Sequence, residues 1–274
     1  MPPQIVGRIT NKEITESSGL AASKCTPNLF WTHNDSGDDA FIYALSETGK
    51  SLGTWKVNGA ENNDWEDIAG FKDSNGVCYL LVGDIGDNQG KRPDHKIYRF
   101  REPNVALTDM PTVRENAPET EPATAITFTY PDGRYNSETL LVHPASGEIY
   151  VVTKRVNGPA GVYKIGSAFG SVANVTAVKV ADVKVPAIPN GTLTGGDISP
   201  DGRHLIICDY ASAYELSLHA DSRQFDDIWK AEPSIIDLGK REVGEAVCYS
   251  ADGKSIFATS EDLDAPFIKV SRKQ

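Results

Sequence analysis

Apolar residues in this chain come in short runs, many of them alternating with polar positions. Each run is bounded by Gly, Pro, Asn, Asp or Ser. That pattern predicts β-strands joined by tight turns. The turns read Cys25-Thr26-Pro27-Asn28, Lys72-Asp73-Ser74-Asn75-Gly76, Pro144-Ala145-Ser146-Gly147, Pro200-Asp201-Gly202 and Ala251-Asp252-Gly253. Asp-Gly and Asn-Gly supply the positive-φ positions that tight hairpins need. After each turn comes a β-rich run: LFWTH from Leu29, VCYLLVGD from Val77, EIYVVTK from Glu148, HLIICDY from His204 and SIFATSED from Ser255. A further strand follows around an aromatic residue: FIYALS at Phe41, KIYRF at Lys96, GVYKI at Gly161, AYEL at Ala213 and FIKVS at Phe267. Outer strands read SLGTWKV, AITFTY, AVKVADVKV and SIIDLG, which makes four outer strands for five units.

Repeats of this length indicate a solenoid, a propeller or an array. Taken as equivalent, Ser18, Glu66, Glu138, Thr194 and Glu245 recur 48, 72, 56 and 51 residues apart. The 29 residues after Glu245 and the 18 up to Ser18 make 47, one further unit. The missing outer strand is then Ile5-Val6-Gly7-Arg8-Ile9, and sharing one sheet between the two termini closes a ring without an open edge. The long spacing has a local cause, a Pro- and acid-rich insertion from Glu102 to Ala123 that reads as an exposed loop. A β-sandwich also uses short strands, but it does not repeat one strand order five times and complete the last copy from the other end. The expectation is an all-β, single-domain, five-bladed β-propeller with four-stranded blades and almost no helix. Its blades span about 14–60, 64–130, 135–187, 192–240, and 243–274 plus 1–10.

Composition narrows the function. With 38 Asp and Glu against 27 Lys and Arg, the chain of 274 residues carries a net charge of −11. This argues against nucleic-acid binding and against an anionic membrane surface, both of which call for a basic face. No apolar run is long enough to span a bilayer, and Met1-Pro2-Pro3-Gln4 has no charged and apolar leader, so no signal peptide is expected in the sequence. Cys25, Cys78, Cys208 and Cys248 form no Cys-x-x-Cys pair, which disfavours zinc. They read as buried thiols or as one or two disulfides. Neither a Gly-x-Ser-x-Gly elbow nor a phosphate-binding glycine loop occurs.

In a propeller the loops leading into the innermost strands and those leaving the second strands crowd one mouth of the central channel. The first set is Glu16-Ser17-Ser18-Gly19, Asp64-Trp65-Glu66-Asp67, Asn136-Ser137-Glu138, Thr194-Gly195-Gly196-Asp197 and Gly244-Glu245. The second is His33-Asn34-Asp35, Asp84 with Asp87-Asn88, Lys154, Asp209-Tyr210 and Glu261-Asp262. Carboxylates gathered at one channel raise each other's pKa unless a divalent cation, shared protons or a neighbouring cation such as Lys154 relieves them. Carboxylate and amide oxygens are the ligands calcium takes. The candidate ligands are Asn34, Glu66, Asp67, Asp84, Asn88, Glu138 and Glu245. The candidate catalytic groups are His33, as a base beside a metal-bound water, with Asp35, Glu138 and Lys154. Asp35, Asp84 and Glu138 also supply carboxylates of the kind glycoside hydrolysis uses, and Trp31, Trp55 and Trp65 are either sugar platforms or core.

Glu16-Ser-Ser-Gly-Leu, Asn34-Asp-Ser-Gly, Asp64-Trp-Glu-Asp-Ile and Gly83-Asp-Ile-Gly-Asp-Asn resemble segments of bacterial propeller proteins of largely unassigned function. More distantly the chain is similar to the calcium-dependent propellers: paraoxonase, gluconolactonase-like enzymes and propeller phytase. Thr194-Gly-Gly-Asp-Ile-Ser-Pro-Asp-Gly and Tyr249-Ser-Ala-Asp-Gly resemble the turns of WD-type and TolB-like repeats. The lactonase resemblance implies axial calcium held by Glu, Asn and Asp from different blades, for which Glu66, Asp84, Asn34 and Glu138 are the nearest matches. Those enzymes have six blades, whereas five are counted here. The expectation is therefore a metal-binding propeller, calcium being the cofactor, that binds or hydrolyses a small oxygen-rich ligand such as a lactone, phosphate ester or sugar. The alternatives are a non-catalytic scaffold with structural calcium and a five-bladed glycoside hydrolase. A monomer in a secreted or periplasmic setting is expected, with a small molecule as partner, no nucleic acid and no membrane insertion.

Overall fold

Five antiparallel sheets stand around one axis in the computed structural model, which describes residues 2–106, 110–167, 169, 174–183, 185–186 and 192–272. Blade 1 runs outward through Ser17–Ala22, Leu29–Asn34, Phe41–Ser46 and Ser51–Lys56. Blade 2 has Trp65–Lys72, Cys78–Asp84, His95–Arg101 and Thr124–Thr129. Blade 3 has Ser137–Val142, Ile149–Thr153, Ala160–Lys164 and Val178–Val183. Blade 4 has Gly195–Ile198, His204–Cys208, Ala213–Ser217 and Ser234–Ile236. Blade 5 has Val247–Tyr249, Ser255–Ala258 and Pro266–Ser271, with Gln4–Arg8 from the start of the chain as its outer strand. The five-bladed propeller and its closure by the N-terminal strand are as the repeat predicts. Helix is limited, among the described residues, to the 3-10 turns Arg114–Asn116 and Phe225–Lys230.

Burial grades outward because each inner strand meets two neighbouring blades while each outer strand meets solvent. Ser17–Ala22 and Ser137–Val142 are buried throughout, whereas Gln4–Arg8 is half-buried to exposed. Between blades the apolar faces interlock. Trp31, Trp55 and Trp65 pack with Ile42, Ile68, Leu80 and Val82 between blades 1 and 2. The three tryptophans are therefore core, and the indole N–H groups of Trp31 and Trp65 donate to Glu102 Oε1 and the Glu61 carbonyl. At the end of the channel away from the acids, the Asp-Gly turns hold Gly202 and Gly253 at positive φ. Asp201 and Asp252 brace those turns by accepting from Ser199 and Ser250 and from the following backbone N–H groups.

Two outer edges are covered from elsewhere in the chain. The described part of the insertion from Glu102 to Ala123 runs along blade 1, where Lys56 N–H donates to the Pro118 carbonyl and Thr120 N–H to that of Lys56. Arg114 anchors it by donating to the Tyr43 hydroxyl and to Asp38. Asn174–Thr176 adds a fifth strand, parallel to Thr124–Thr129, on blade 2. Both additions occupy hydrogen-bonding edges that would otherwise lie open. Cys25 and Cys78 form a disulfide between blades 1 and 2, with Cα atoms 6.0 Å apart, while Cys208 and Cys248 are buried free thiols. No helix among the described residues is long and apolar enough to cross a membrane.

Candidate functional site: an acidic channel mouth

Backbone irregularity builds the site. In blade 2, Trp65 pairs with Asp84 and Asp67 with Gly83, leaving Glu66 as an extra residue. In blade 3, Ser137 pairs with Thr153 and Thr139 with Val152, leaving Glu138 extra. A corresponding shift in blade 1 falls at Ser18-Gly19. A β-bulge re-aims a side chain that the pleat would otherwise place on a fixed face. Here it sets Glu66 and Glu138 among the acids of the mouth, while Trp65 and Asp67 stay in the packed interior. Glu245 of blade 5 joins them: Ser18 Oγ donates to the Glu66 carbonyl at 2.7 Å and to Glu245 Oε2 at 3.4 Å. Blade 4 contributes neutral Thr194, whose hydroxyl donates to the Gly244 carbonyl.

The densest group is Asp35, Asp64 and Glu66, one carboxylate oxygen of each lying within 4.8 Å of the others. Asp35 comes from the second-strand exit of blade 1 and the other two from the approach to blade 2, so the group straddles a blade interface. Gly86 closes against it. A Cβ there would meet Glu66 Oε1 at 2.2 Å and Asp64 Oδ2 at 2.3 Å, so only glycine lets this loop approach. Among the described residues, no protein donor hydrogen-bonds to the Glu66 carboxylate.

Electrostatics follow from burial and crowding. Burial, then Glu138, Asp35, Asp64 and Glu245, hold the Glu66 pKa well above the ordinary carboxylate range. Burial is also the main cause at Asp35, pushed up to about 7, with Asp64, Glu261 and Glu138 adding to it. Glu245 is pushed up to about 10 by burial, Glu138 and Glu261. Asp64 and Glu16 are raised by burial first and by neighbouring acids after it. Glu138 is raised by burial against the pull of Lys154, whose ammonium sits 2.6 Å from its carboxylate. Burial opposes the charge on Lys154, yet Glu138 raises its pKa overall.

The residues singled out from sequence thus divide. Glu66, Glu138, Glu245, Asp35 and Lys154 converge at the mouth. Asp84 is adjacent but engaged: it takes Arg92 at 2.7 Å and accepts from Asn63 and Asp64 N–H. Asn88 accepts from Asn136 on the rim. Asn34 is spent on structure, its Oδ1 accepting from Thr15 and Glu16 N–H and its Nδ2 donating to the Glu13 carbonyl and Asp38. Asp67 accepts from Ile68 and Leu140 N–H, tying the inner strands of blades 2 and 3. His33 is fully buried beside Trp65; its Nδ1–H donates to the Asn34 carbonyl, and burial lowers its pKa to about 4. It is therefore neutral and sealed between blades. Reasoning from sequence passed over Asp64 as a ligand and gave no role to Gly86 or Asn136. The available signal was strand alternation, which puts Asp64 and Glu66 together and Asp67 on the other face.

No protein-family model matches the chain, and no curated protein is significantly similar to it. Chemically, the mouth offers an all-oxygen donor set with no histidine or thiolate in it. That set fits a hard divalent cation and not a soft one.

Proposed function

We propose that the acidic mouth holds a divalent cation, calcium by the nature of the donors, and there binds a small oxygen-rich ligand. The observation that carries this reading is the approach of one carboxylate oxygen each of Asp35, Asp64 and Glu66 to within 4.8 Å of one another. Three ionised carboxylates at that spacing repel strongly unless protons or a metal intervene. Glu138 and Glu245 stand close enough to perturb Glu66 and would border the bound ion. When bound, the ion would polarise a ligand oxygen or acidify a water. Binding is better supported than turnover, because His33 is sealed in the interior and Lys154 is locked to Glu138. Lactones, phosphate esters and sugars are the ligand classes considered. A secreted or periplasmic setting suits the Cys25–Cys78 disulfide, since such bonds persist in oxidising compartments.

Metal analysis of the purified protein, with melting curves in EDTA and in calcium, tests the reading. A ligand that binds only the folded state raises the melting temperature. The expected result is a calcium-dependent rise that Asp64→Asn and Glu66→Gln abolish. Equal melting in EDTA and calcium, with no metal retained, would overturn it.

A further inference from the structure

Edge cover does not account for all of the insertion from Glu102 to Ala123. The segment leaves blade 2, yet its 3-10 turn Arg114–Asn116 sets a basic side chain into blade 1, beside the loops that approach the mouth. Backbone pairing at Lys56 and the bonds between Thr112 and Thr54 already hold it to the outer strand. Covering that edge calls for no guanidinium. Arg114 instead joins three parts of blade 1. Its backbone N–H donates to Glu13 Oε1 at 3.0 Å and its Nη2 to the Glu13 carbonyl at 3.0 Å, both in the approach to the inner strand. Its Nε donates to the Tyr43 hydroxyl at 2.8 Å on the third strand, and Nη2 also meets Asp38 Oδ2 in the second-strand exit. From there the bonds continue to the mouth. Asp38 Oδ2 accepts from Asn34 Nδ2 at 2.7 Å, and Asn34 Oδ1 accepts from Thr15 and Glu16 N–H. Asp35, the next residue, donates its own N–H to the Glu16 carbonyl at 3.1 Å.

Arg114 is the one cation paired with Asp38 among the described residues. Asp38 stands close enough to Glu16 to raise that residue's pKa, so without the guanidinium the exit loop is repelled by the approach loop it must meet. A cleft lined by Glu16, Asn34, Ser36, Asp38 and Arg114 opens beside these bonds and gives the loop room to move. We infer that Arg114 is a positioning residue for the cation site: through Asp38 and Asn34 it fixes the loop from which Asp35 reaches Asp64 and Glu66. This rests on the proposed cation site for its effect on calcium, and on the hydrogen bonds alone for its effect on the loop. Groups that orient the ligands of a metal from outside typically carry about tenfold to a hundredfold of its affinity.

Calcium is titrated calorimetrically into the wild type, R114Q, D38N, the R114Q/D38N double variant and R114K, with melting curves in EDTA alongside. Arg114 is partly exposed, so the variants should fold. R114Q should bind calcium about tenfold more weakly. The double variant should lose little beyond the weaker single one, because the two side chains act as one link. R114K should recover part of the affinity, since its ammonium keeps a charge opposite Asp38 but lacks the fork that also holds Tyr43. A merely structural role lowers the melting temperature in EDTA and leaves the calcium dissociation constant unchanged. That result, additive losses in the double variant, or an R114K no better than R114Q would overturn the inference. Should the wild type bind no calcium, the cation reading fails by itself, and amide hydrogen exchange in EDTA then judges the loop. Faster exchange at Thr15, Glu16 and Asp35 in R114Q, with Leu140 unchanged, supports the inference; equal exchange at the three, or the same acceleration at Leu140, overturns it.

Discussion

Glu66 and Asp67 are consecutive, both buried and both held above the ordinary carboxylate pKa, yet they belong to different regions. Asp67 lies in the channel wall, where the backbone N–H groups of Ile68 and Leu140 point at its oxygens. Asp197 repeats the arrangement in blade 4, accepting from Ile198 and from Tyr249 of blade 5. In the mouth, Glu66 faces Asp64 and Asp35 instead, with no protein donor among the described residues. The wall carboxylates fasten one inner strand to the next; Asp35, Asp64 and Glu66 crowd one another, and Glu66 accepts no hydrogen bond on its carboxylate from any described residue. Burial or a shifted pKa alone does not distinguish a fastener from a site. What the oxygens face does.

The largest expected effect lies in the wall. Asp67→Ala should cost about 3 kcal/mol in urea unfolding, because two buried N–H groups lose their acceptor. Asp197→Ala should behave alike, and both should keep the calcium-dependent melting shift. A loss below about 1 kcal/mol, as for a surface change, would break the comparison. Calcium comes next. At a hundredfold excess over its dissociation constant it should add about 2.7 kcal/mol to the wild type and nothing to Asp64→Asn. A third substitution separates the regions by sign. Without calcium, Glu66→Gln should stabilise the protein by about 1 kcal/mol at neutral pH, since burial and the neighbouring acids raise the Glu66 pKa on folding and the neutral amide avoids that cost. A destabilised E66Q in EDTA would place Glu66 with the fasteners.

The strands and blade count were legible because they rest on local alternation and on turns with their own chemistry, such as Pro200-Asp201-Gly202. Closure by Gln4–Arg8 followed from counting units. The bulges were not legible: alternation groups Asp64 with Glu66, but nothing local in Asp64-Trp65-Glu66-Asp67 announces the one-residue shift between Trp65 and Asp67. The same holds for Asn34, whose amide is consumed by Glu13, Thr15, Glu16 and Asp38. Its neighbours in the first turns of blade 1 reveal themselves only once the chain is folded. The course of 102–123 along blade 1 and the strand Asn174–Thr176 depend on edges that other segments leave open. The Cys25–Cys78 bond spans 53 residues and closes only when the first two blades stack.

The smallest effect expected is in the pH profile of the calcium-free protein, where mouth and interior pull in opposite directions. Asp35 sits at about 7 and Glu245 at about 10, both above their ordinary values. As pH rises from about 4, the unfolded chain therefore releases these protons first, and stability falls through pH 7 and on towards 10. His33 and His95 are lowered to about 4 by burial, so as pH falls below 6.5 the unfolded chain takes up protons first and stability falls towards 4. Between about pH 4 and 6.5 the two trends oppose each other and the profile should be shallow. Above 6.5 only the carboxylates act, and stability should decline. Calcium favours the ionised acids and should flatten that alkaline limb without altering the acid side. Melting temperatures from pH 4 to 9, in EDTA and in calcium, measure both limbs. An alkaline decline that calcium leaves unchanged would mean that the acids governing it are not those that meet the ion.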